Sequence, residues 1–599
     1  MHLSHLSPTL LHQAIIKGCQ SVISVREQLN AINIFPVADG DTGDNLASTA
    51  TAIIANSHTK PRLTDMLESV AEASLRGARG NSGIIFSQFF NALAVDPGTA
   101  TEMDTRNFSA TLVNVAINVR AAISSPIDGT MLTMIEAFAN TASMLSKDTS
   151  CFNQLMGKLR PILKATLDAT AESIPVLRDA QVVDAGALGF YFFVDGFASL
   201  LSGERLSENN YPTSIAHPIE HKHTLLETRP LHRYCTEVIL KSDVIDKTGL
   251  SKVLEHYGDC LAFTGNQKTC RVHIHSNKPS DIFSSLMDHG TLEYPKIDDM
   301  LRQFQVLHDR NHDIALVTDS SADLPQALKD EYQVHQIPLN IHIDEHHLLD
   351  RYCIEPNVFY ENLNTLKAHP KTSLPSPVLI EEKLSFLSQQ YKHVLVISIA
   401  KALSGTFDAL ARAAQKYPNV RVINSCTSSG AQGLLVQYAG ELIREGQSFQ
   451  TIINAVSDAI PETSLFVMVN DLETMVRSGR INKIAGRIGQ FSGIKPIISI
   501  DNDGKGSYFA TAFNADHALS KLITITKKMQ SEPGKELERY CIVHAGVEEK
   551  ARAFAHLTTE AFQKSPAYIE NVSSAIGLHA GHGCIAIAAR IRSSRRTGN

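Results

Sequence analysis

Apolar residues recur at helical spacing through the first third of the chain. Leu63, Met66, Leu67 and Val70 fall on one face of a helix that Gly77 stops. Leu155, Leu159, Leu163 and Leu167 repeat the pattern, with Pro161 predicting a kink or a helix start. Strand-like runs are scarce there, and Gly- and Asp-rich turns separate the helical stretches. An all-α bundle or barrel follows. Residues 204–223 are polar and hold two prolines, which predicts a linker. A short α+β segment comes next, with strands at Val238-Ile239-Leu240 and Arg271-Val272-His273-Ile274-His275 and helices over 250–257 and 279–289. From about residue 314, β-rich runs alternate with helical ones: Ala315-Leu316-Val317, Val394-Leu395-Val396-Ile397, Val420-Arg421-Val422-Ile423, Phe466-Val467-Met468-Val469 and Ile542-Val543. That alternation predicts an α/β domain with a largely parallel sheet. The basic end, residues 590–599, is expected to fray.

Composition narrows the class. The 599 residues are 43% hydrophobic and 20% charged, as in soluble globular proteins. That length suggests about three to five domains. A net charge of −7 argues against nucleic acid held by bulk positive charge. No uninterrupted apolar run looks long enough to span a bilayer, and the N-terminal segment lacks the basic region and cleavage site of a secretory signal. Nine Cys without a CxxC pair predict reduced thiols and a cytoplasmic location.

The sharpest local feature is Phe35-Pro36-Val37-Ala38-Asp39-Gly40-Asp41-Thr42-Gly43-Asp44-Asn45. Three carboxylates so close together repel one another unless a cation neutralises them. Hard oxygen ligands on a tight turn suit Mg²⁺ beside substrate phosphates, and a solvated turn is the alternative. An EF-hand is disfavoured, because no Glu completes the loop. A second feature, Gly77-Ala78-Arg79-Gly80-Asn81-Ser82-Gly83, lies between two helical patterns. Glycines there let backbone amides approach a phosphate ahead of a helix start, although no Walker A motif is present. Asp128-Gly129-Thr130 and Asp184-Ala185-Gly186 place further polar groups at helix ends.

In this order, these residues resemble the nucleotide-binding subunit of the dihydroxyacetone kinase family, and more closely the ATP-binding domain of bacterial fatty acid kinase. The resemblance implies a DhaL-like barrel of antiparallel helices over residues 1–203, with ATP held at one end through two Mg²⁺. Asp39 and Asp41 are then the metal ligands, and Asn33 or Asp44 completes the set. Thr42, Asn45, Gly80, Asn81, Ser82, Gly83, Thr130 and Asp184 are the matching nucleotide-side residues. Two positions depart from the family pattern. Asp44 stands where an uncharged residue is usual, and Ala187-Leu188 replaces Gly-Gln.

His273 and His275 alternate on one strand, so both imidazoles face the same side. Cys235 lies on the preceding strand-like element, and one thiolate with two imidazoles suits zinc. Chance pairing is the simpler reading of the spacing alone. The segment also resembles the middle domain of fatty acid kinase, here residues 224–310, which implies Zn²⁺ on Cys235, His273 and His275.

In the carboxyl-terminal half, polar motifs follow strands, where α/β folds place ligand sites. They are Thr318-Asp319-Ser320-Ser321, Thr372-Ser373-Leu374-Pro375-Ser376, Ser404-Gly405-Thr406, Arg477-Ser478-Gly479-Arg480-Ile481 and Gly577-Leu578-His579-Ala580-Gly581. Hydroxyls with Arg and His suit a buried carboxylate or phosphate. A catalytic Ser–His pair lacks the GxSxG elbow it would need. These motifs resemble the DegV family of fatty-acid-binding proteins over residues 313–592. The resemblance implies two α/β lobes around an acyl chain. Thr372 or Ser373, Ser404 and His579 would hold its carboxylate, with Arg480 near the head group. Leu374, Phe407, Ala580 and His582 depart from the family pattern around that clamp.

The combined expectation is a multidomain enzyme: an ATP-dependent fatty acid kinase with its lipid carrier on the same chain. Asp39, Asp41 and Arg480 are the expected catalytic residues, and ATP, Mg²⁺ and Zn²⁺ the expected cofactors. The expected partners are a fatty acid, a second copy of the chain if transfer crosses a homodimer, and a downstream enzyme that uses acyl phosphate. A dihydroxyacetone-type small-molecule kinase and a non-enzymatic lipid carrier are the rivals.

Overall fold

The structure is a computed structural model, and it describes residues 3–35, 40–95, 102–123, 126–202, 229–363, 365–366, 368–470 and 494–593. The expected linker, Asp39, Arg480 and the residues around Arg480 lie outside the described residues. The chain forms two compact units. The first comprises Met1–Asn277 and Asp288–Leu307, and the second Lys278–Met287 and His308–Asn599.

The first unit begins with helices, as the periodicity predicts. Pro8–Ser24 starts on a Ser7 cap, with Pro8 pre-setting the first turn. Thr42–Asn56, Leu63–Gly77, Gly80–Val95, Thr105–Ala121, Met131–Leu145 and Phe152–Ser173 follow. Consecutive long helices pack side by side, and the last, Ala185–Ser202, returns to the first and closes the ring. Pro161 sits within Phe152–Ser173 rather than at its start. By length and composition Ala185–Ser202 is apolar enough to cross a membrane, contrary to expectation, yet 78% of its apolar window is buried. The reason is aromatic packing. Phe190 meets Phe89 edge-on at 5.2 Å, and Phe193 meets Phe86 at 5.3 Å and Phe90 at 5.4 Å. Gly18 permits this approach, since a Cβ there would fall 2.6 Å from Phe193.

The same unit holds a four-stranded antiparallel sheet ordered Gly258–Gly265, Thr269–Ser276, Tyr234–Lys241, Thr291–Asp299. Its outer two strands escaped the pattern analysis because they are mostly half-exposed.

The second unit bears out only half of the parallel-sheet expectation. One sheet is parallel, ordered Val420–Asn424, His393–Ser398, Ile314–Asp319, His335–Ile337. A second has six strands and is antiparallel except for the pairing of Lys535–His544 with Ile569–Asn571, and a third, ordered His346–Leu349, Asn340–Ile343, Lys371–Ser373, is antiparallel throughout. Lys495–Ile500 and Gly506–Ala512 form a hairpin through a turn at Gly504, which has φ +80°. A turn that short cannot make the crossover that parallel strands require. The expected frayed end is also corrected in part. Arg590 belongs to the strand Ile585–Ser593 and its guanidinium lies 3.6 Å over the Tyr438 ring.

Candidate functional site

In the first unit, the helix Leu63–Gly77 ends and Gly80–Val95 begins within three residues. The glycine-rich turn is therefore shorter than its sequence suggests, and Asn81, Ser82 and Gly83 form the first helical turn. Gly80 has φ +53°, and a Cβ there would fall 2.3 Å from Nδ2 of Asn45. A Cβ on Gly83 would lie 3.0 Å from the Asn45 carbonyl oxygen. Glycine lets the turn seat directly on Thr42–Asn56, which brings Asn45, Gly80 and Gly83 together.

Asp41 precedes that helix as its N-cap residue. Thr42 Oγ1 donates to Asn33 Oδ1 at 2.9 Å, so these two predicted residues also meet. The Asp44 carboxylate is paired with Arg26. Asn33 and Asp44 thus each have a side-chain partner already, Thr42 and Arg26. Thr130 and Asp184 sit at other helix starts. Asp184 is 4% exposed and accepts from the Ala187 amide at 2.7 Å. Burial pushes its carboxyl up to about 7, against the opposing amides of Ala187, Met131 and Gly186. The Met131 amide places Asp184 beside Thr130.

The four-stranded sheet presents one polar face. In the pairing register Cys235 lies opposite both His275 and Asp298, and Asp259 opposite His275. Two residues along, Glu237 lies opposite His273 and Lys296. Directly paired residues share a face, so these side chains form two adjacent rows. Ligand atoms of Cys235, His273 and His275 lie within 4.8 Å of one another. Nε2 of His273 is buried with no hydrogen-bond partner among the described residues. Burial and the neighbouring His273 lower the His275 imidazole to about 4, leaving it neutral near pH 7. Burial, Glu237 and Asp298 raise the Cys235 thiol well above its ordinary range, and Asp41 adds to the effect. A neutral imidazole, a partnerless ring nitrogen and a thiol that only a cation would ionise fit a zinc site.

Sequence analysis missed the charged groups around this cluster. Burial alone would raise the Glu237 carboxyl, but Arg271, His273 and Lys296 hold it well below the carboxylate range. Lys296 pairs with Asp298 at 2.8 Å. Arg79, in the glycine-rich turn, lies in the field of Asp298, Glu237 and Asp44. The signal was present as charges alternating along strands, but the outer strand that carries Lys296 and Asp298 was not recognised.

In the second unit, one cavity of about 230 Å³ is lined by Thr372, Ser373, Ser404 and His579 together. Four residues spread over more than two hundred positions thus meet at one site. Leu465, Val467, Ile498, Val543 and Ala586 make its wall apolar. Ser404 Oγ lies 2.8 Å from Thr406 Oγ1, and Ser373 Oγ lies 3.0 Å from Nε2 of His342. Ser428 and Ser429, missed in the sequence, also line the cavity at the start of the helix Ser429–Arg444. Their position after a parallel strand was the available signal. Thr318-Asp319-Ser320-Ser321 does not reach the cavity. Asp319 instead accepts from Ser398 Oγ at 3.0 Å and the Ile399 amide at 2.8 Å, inside the core. Asp323, also buried, accepts from Ser429 Oγ at 2.5 Å and the Ser573 amide at 2.9 Å, and pairs with Arg351. It thereby anchors two cavity-lining segments to one carboxylate.

Comparison with known proteins finds three family regions along the chain. Residues 36–199 match the DAK2 domain family, 232–307 the FakA-like middle-domain family of fatty acid kinase, and 313–592 the family described as uncharacterised protein, DegV family. An uncharacterised protein of Staphylococcus saprophyticus is 26% identical over 52% of this chain and 58% of its own length. Protein YloV of Bacillus subtilis is 28% identical over 49% of this chain and 55% of its own. This chain thus spans little more than half the length of those two relatives. A DegV domain-containing protein of Clostridium acetobutylicum is 28% identical over 46% of this chain and 97% of its own. Among solved structures, a fatty acid binding DegV family protein from Streptococcus agalactiae is 29% identical, with a TM-score of 0.42 over 46% of this chain and 98% of that one. The chain therefore carries, in series, regions that match the DAK2, FakA-like middle-domain and DegV families.

Proposed function

We propose that this chain is an ATP-dependent fatty acid kinase that makes acyl phosphate, with residues 1–203 binding nucleotide, 224–310 holding zinc and 313–592 holding the lipid. The observation that carries the lipid half is the cavity, with an apolar wall and with Thr372, Ser373, Ser404 and His579 on its lining. Hydroxyls and an imidazole there can donate to a carboxylate while the acyl chain lies against apolar side chains.

In this reading the carboxylate oxygen attacks the γ-phosphorus of ATP. An O–P bond forms, the bond to the β,γ-bridging oxygen breaks, and ADP leaves. No general base is needed, because a carboxylate is ionised at pH 7. Asp39 and Asp41, with Asn33 or Asp44, would hold Mg²⁺, which supplies charge neutralisation at the phosphates when bound. The amides of Asn81 and Ser82, in the first helical turn, would orient the phosphates, while Gly80 and Gly83 let that turn seat on Thr42–Asn56. Thr42 and Asn45 support that turn, and Thr130 and Asp184 order neighbouring helix starts. Cys235, His273 and His275 would hold Zn²⁺, a fixed cation beside the glycine-rich turn. Arg480 is the proposed cation at the acyl head group. The rest of catalysis is positioning.

The test is purified full-length protein with ATP, Mg²⁺ and oleate, trapping acyl phosphate as the hydroxamate. Hydroxamate that depends on all three supports the reading. Its absence, with oleate shown to be bound, overturns it.

A further inference from the structure

Glu237 has no part in the activity proposed above, yet it is 1% exposed and its two carboxylate oxygens reach three residues on two other elements, the strand Thr269–Ser276 and the helix Gly80–Val95. Oε2 pairs with Nη2 of Arg271 at 2.6 Å. Oε1 lies 3.2 Å from Nδ1 of His273 and accepts from the Gly80 amide at 3.1 Å. Arg271 extends the reach, because its Nη1 donates to the Leu75 carbonyl at 3.0 Å. Leu75 lies in the last turn of Leu63–Gly77, and Gly80 opens Gly80–Val95. One buried ion pair on the sheet therefore grips both sides of the glycine-rich turn. The same carboxylate oxygen that orders the turn also touches an imidazole of the Cys235–His273–His275 cluster.

We propose that Glu237 is a positioning residue that couples that metal site to the glycine-rich turn, so that bound zinc and bound nucleotide favour one another. The proposal rests on the reading above that zinc occupies the cluster and nucleotide phosphates lie at the turn. A cation held by the cluster fixes the His273 ring and adds positive charge beside Glu237. The carboxylate then has one arrangement, and so does the Gly80 amide it holds. Without the cation, His273 is free to change its partner, and Glu237 shifts its share between imidazole and amide. Gly80 gives the turn no side chain of its own to resist that shift. Coupling of this kind is reciprocal: zinc raises nucleotide affinity by the same factor as nucleotide raises zinc affinity. A carboxylate against a ligating imidazole also orients the ligand and tunes the metal.

The experiment uses full-length protein, a non-hydrolysable ATP analogue with Mg²⁺, and calorimetry, with zinc content measured on each sample. The comparison is between zinc-loaded protein and protein stripped by a zinc-selective chelator, with circular dichroism confirming that both are folded. Wild type is expected to bind the analogue about tenfold more tightly when loaded, within the usual range for coupled sites. Glu237→Gln is expected to keep its zinc and to bind the analogue with the same affinity loaded or stripped. A purely structural role for Glu237 would weaken binding and leave the loaded-to-stripped ratio unchanged. Equal affinities in wild type, or a wild-type ratio preserved in Glu237→Gln, overturns the proposal. If Glu237→Gln does not fold, Glu237→Asp, whose carboxylate is one methylene shorter, takes its place, with the same expected loss of the ratio and the same overturning result. Wild type that takes up no zinc, or binds no analogue at all, removes the underlying reading and this proposal with it, an outcome distinct from equal affinities.

Discussion

The sulfur of Cys235 lies 3.7 Å from Nδ1 of His273, diagonally across two paired strands. With His275 alongside, the thiol and two imidazoles converge on one point. Cys235→Ala is expected to lower zinc content well below that of wild type, measured by atomic emission on purified protein. Unchanged zinc content would remove the site. Zinc affinity should also rise with pH, because the Cys235 thiol, raised by burial, Glu237 and Asp298, must release its proton to ligate.

The two units should separate by function. Asp41→Ala is expected to abolish hydroxamate formation while oleate binding stays at the wild-type level. Ser404→Ala, which removes one hydroxyl from the cavity lining, should weaken oleate binding roughly 10-fold or more, the effect of one hydrogen bond to a charged group. ATP binding should be unaffected. Loss of the same ligand in both variants would show that the division of labour is wrong.

Asp184 should make stability depend on pH. Its carboxyl has an ordinary value of 3.8, and burial pushes it up to about 7 in the folded chain. Between those values the folded state holds the proton more tightly than the unfolded state. The contribution of Asp184 is therefore fully present at acid pH and declines as pH rises from about 4 to 7. Asp184→Asn keeps an oxygen to accept from the Ala187 amide and carries no charge. It is expected to raise the melting temperature at pH 8, by at most the equivalent of roughly 4 kcal/mol, and to flatten the profile between pH 4 and 7. A lower melting temperature at pH 8 would show that the charged form is the one the fold requires.

Asp323 should matter to both stability and lipid. Its replacement by Asn leaves the Arg351 guanidinium buried without a full counter-charge, at a cost of about 3–5 kcal/mol. It also loosens the Ser429 and Ser573 anchors of the cavity. Lower stability to urea together with weaker oleate binding is expected. Wild-type oleate affinity in a destabilised variant would confine Asp323 to folding.

Some features were legible in the sequence because they are local. The spacing of Leu63, Met66, Leu67 and Val70 predicts the helix that forms, and Gly77 ends it. His273 and His275 face one side because a strand alternates every two residues. Other features were not legible. The pairing of Phe466-Val467-Met468 with Ile585–Ser593 depends on which distant segment reaches the sheet, so a β-rich run gave no sign that it would be antiparallel. Asp319 reads as a cavity residue by its place after a strand and is instead a core acceptor. Ser428 and Ser429 were overlooked although they line the cavity.

By itself the sequence determined the helical and α/β segments and the order of the three family regions. Periodicity and short motifs are set by neighbours along the chain, so they survive without coordinates. Only the tertiary structure decided that Glu237 and Arg271 meet the turn between Leu75 and Gly80, and that Thr372, Ser404 and His579 face one cavity. Contacts between residues far apart in sequence depend on how whole elements pack. A buried carboxylate is held well below its ordinary range only where packing has brought its cations to it.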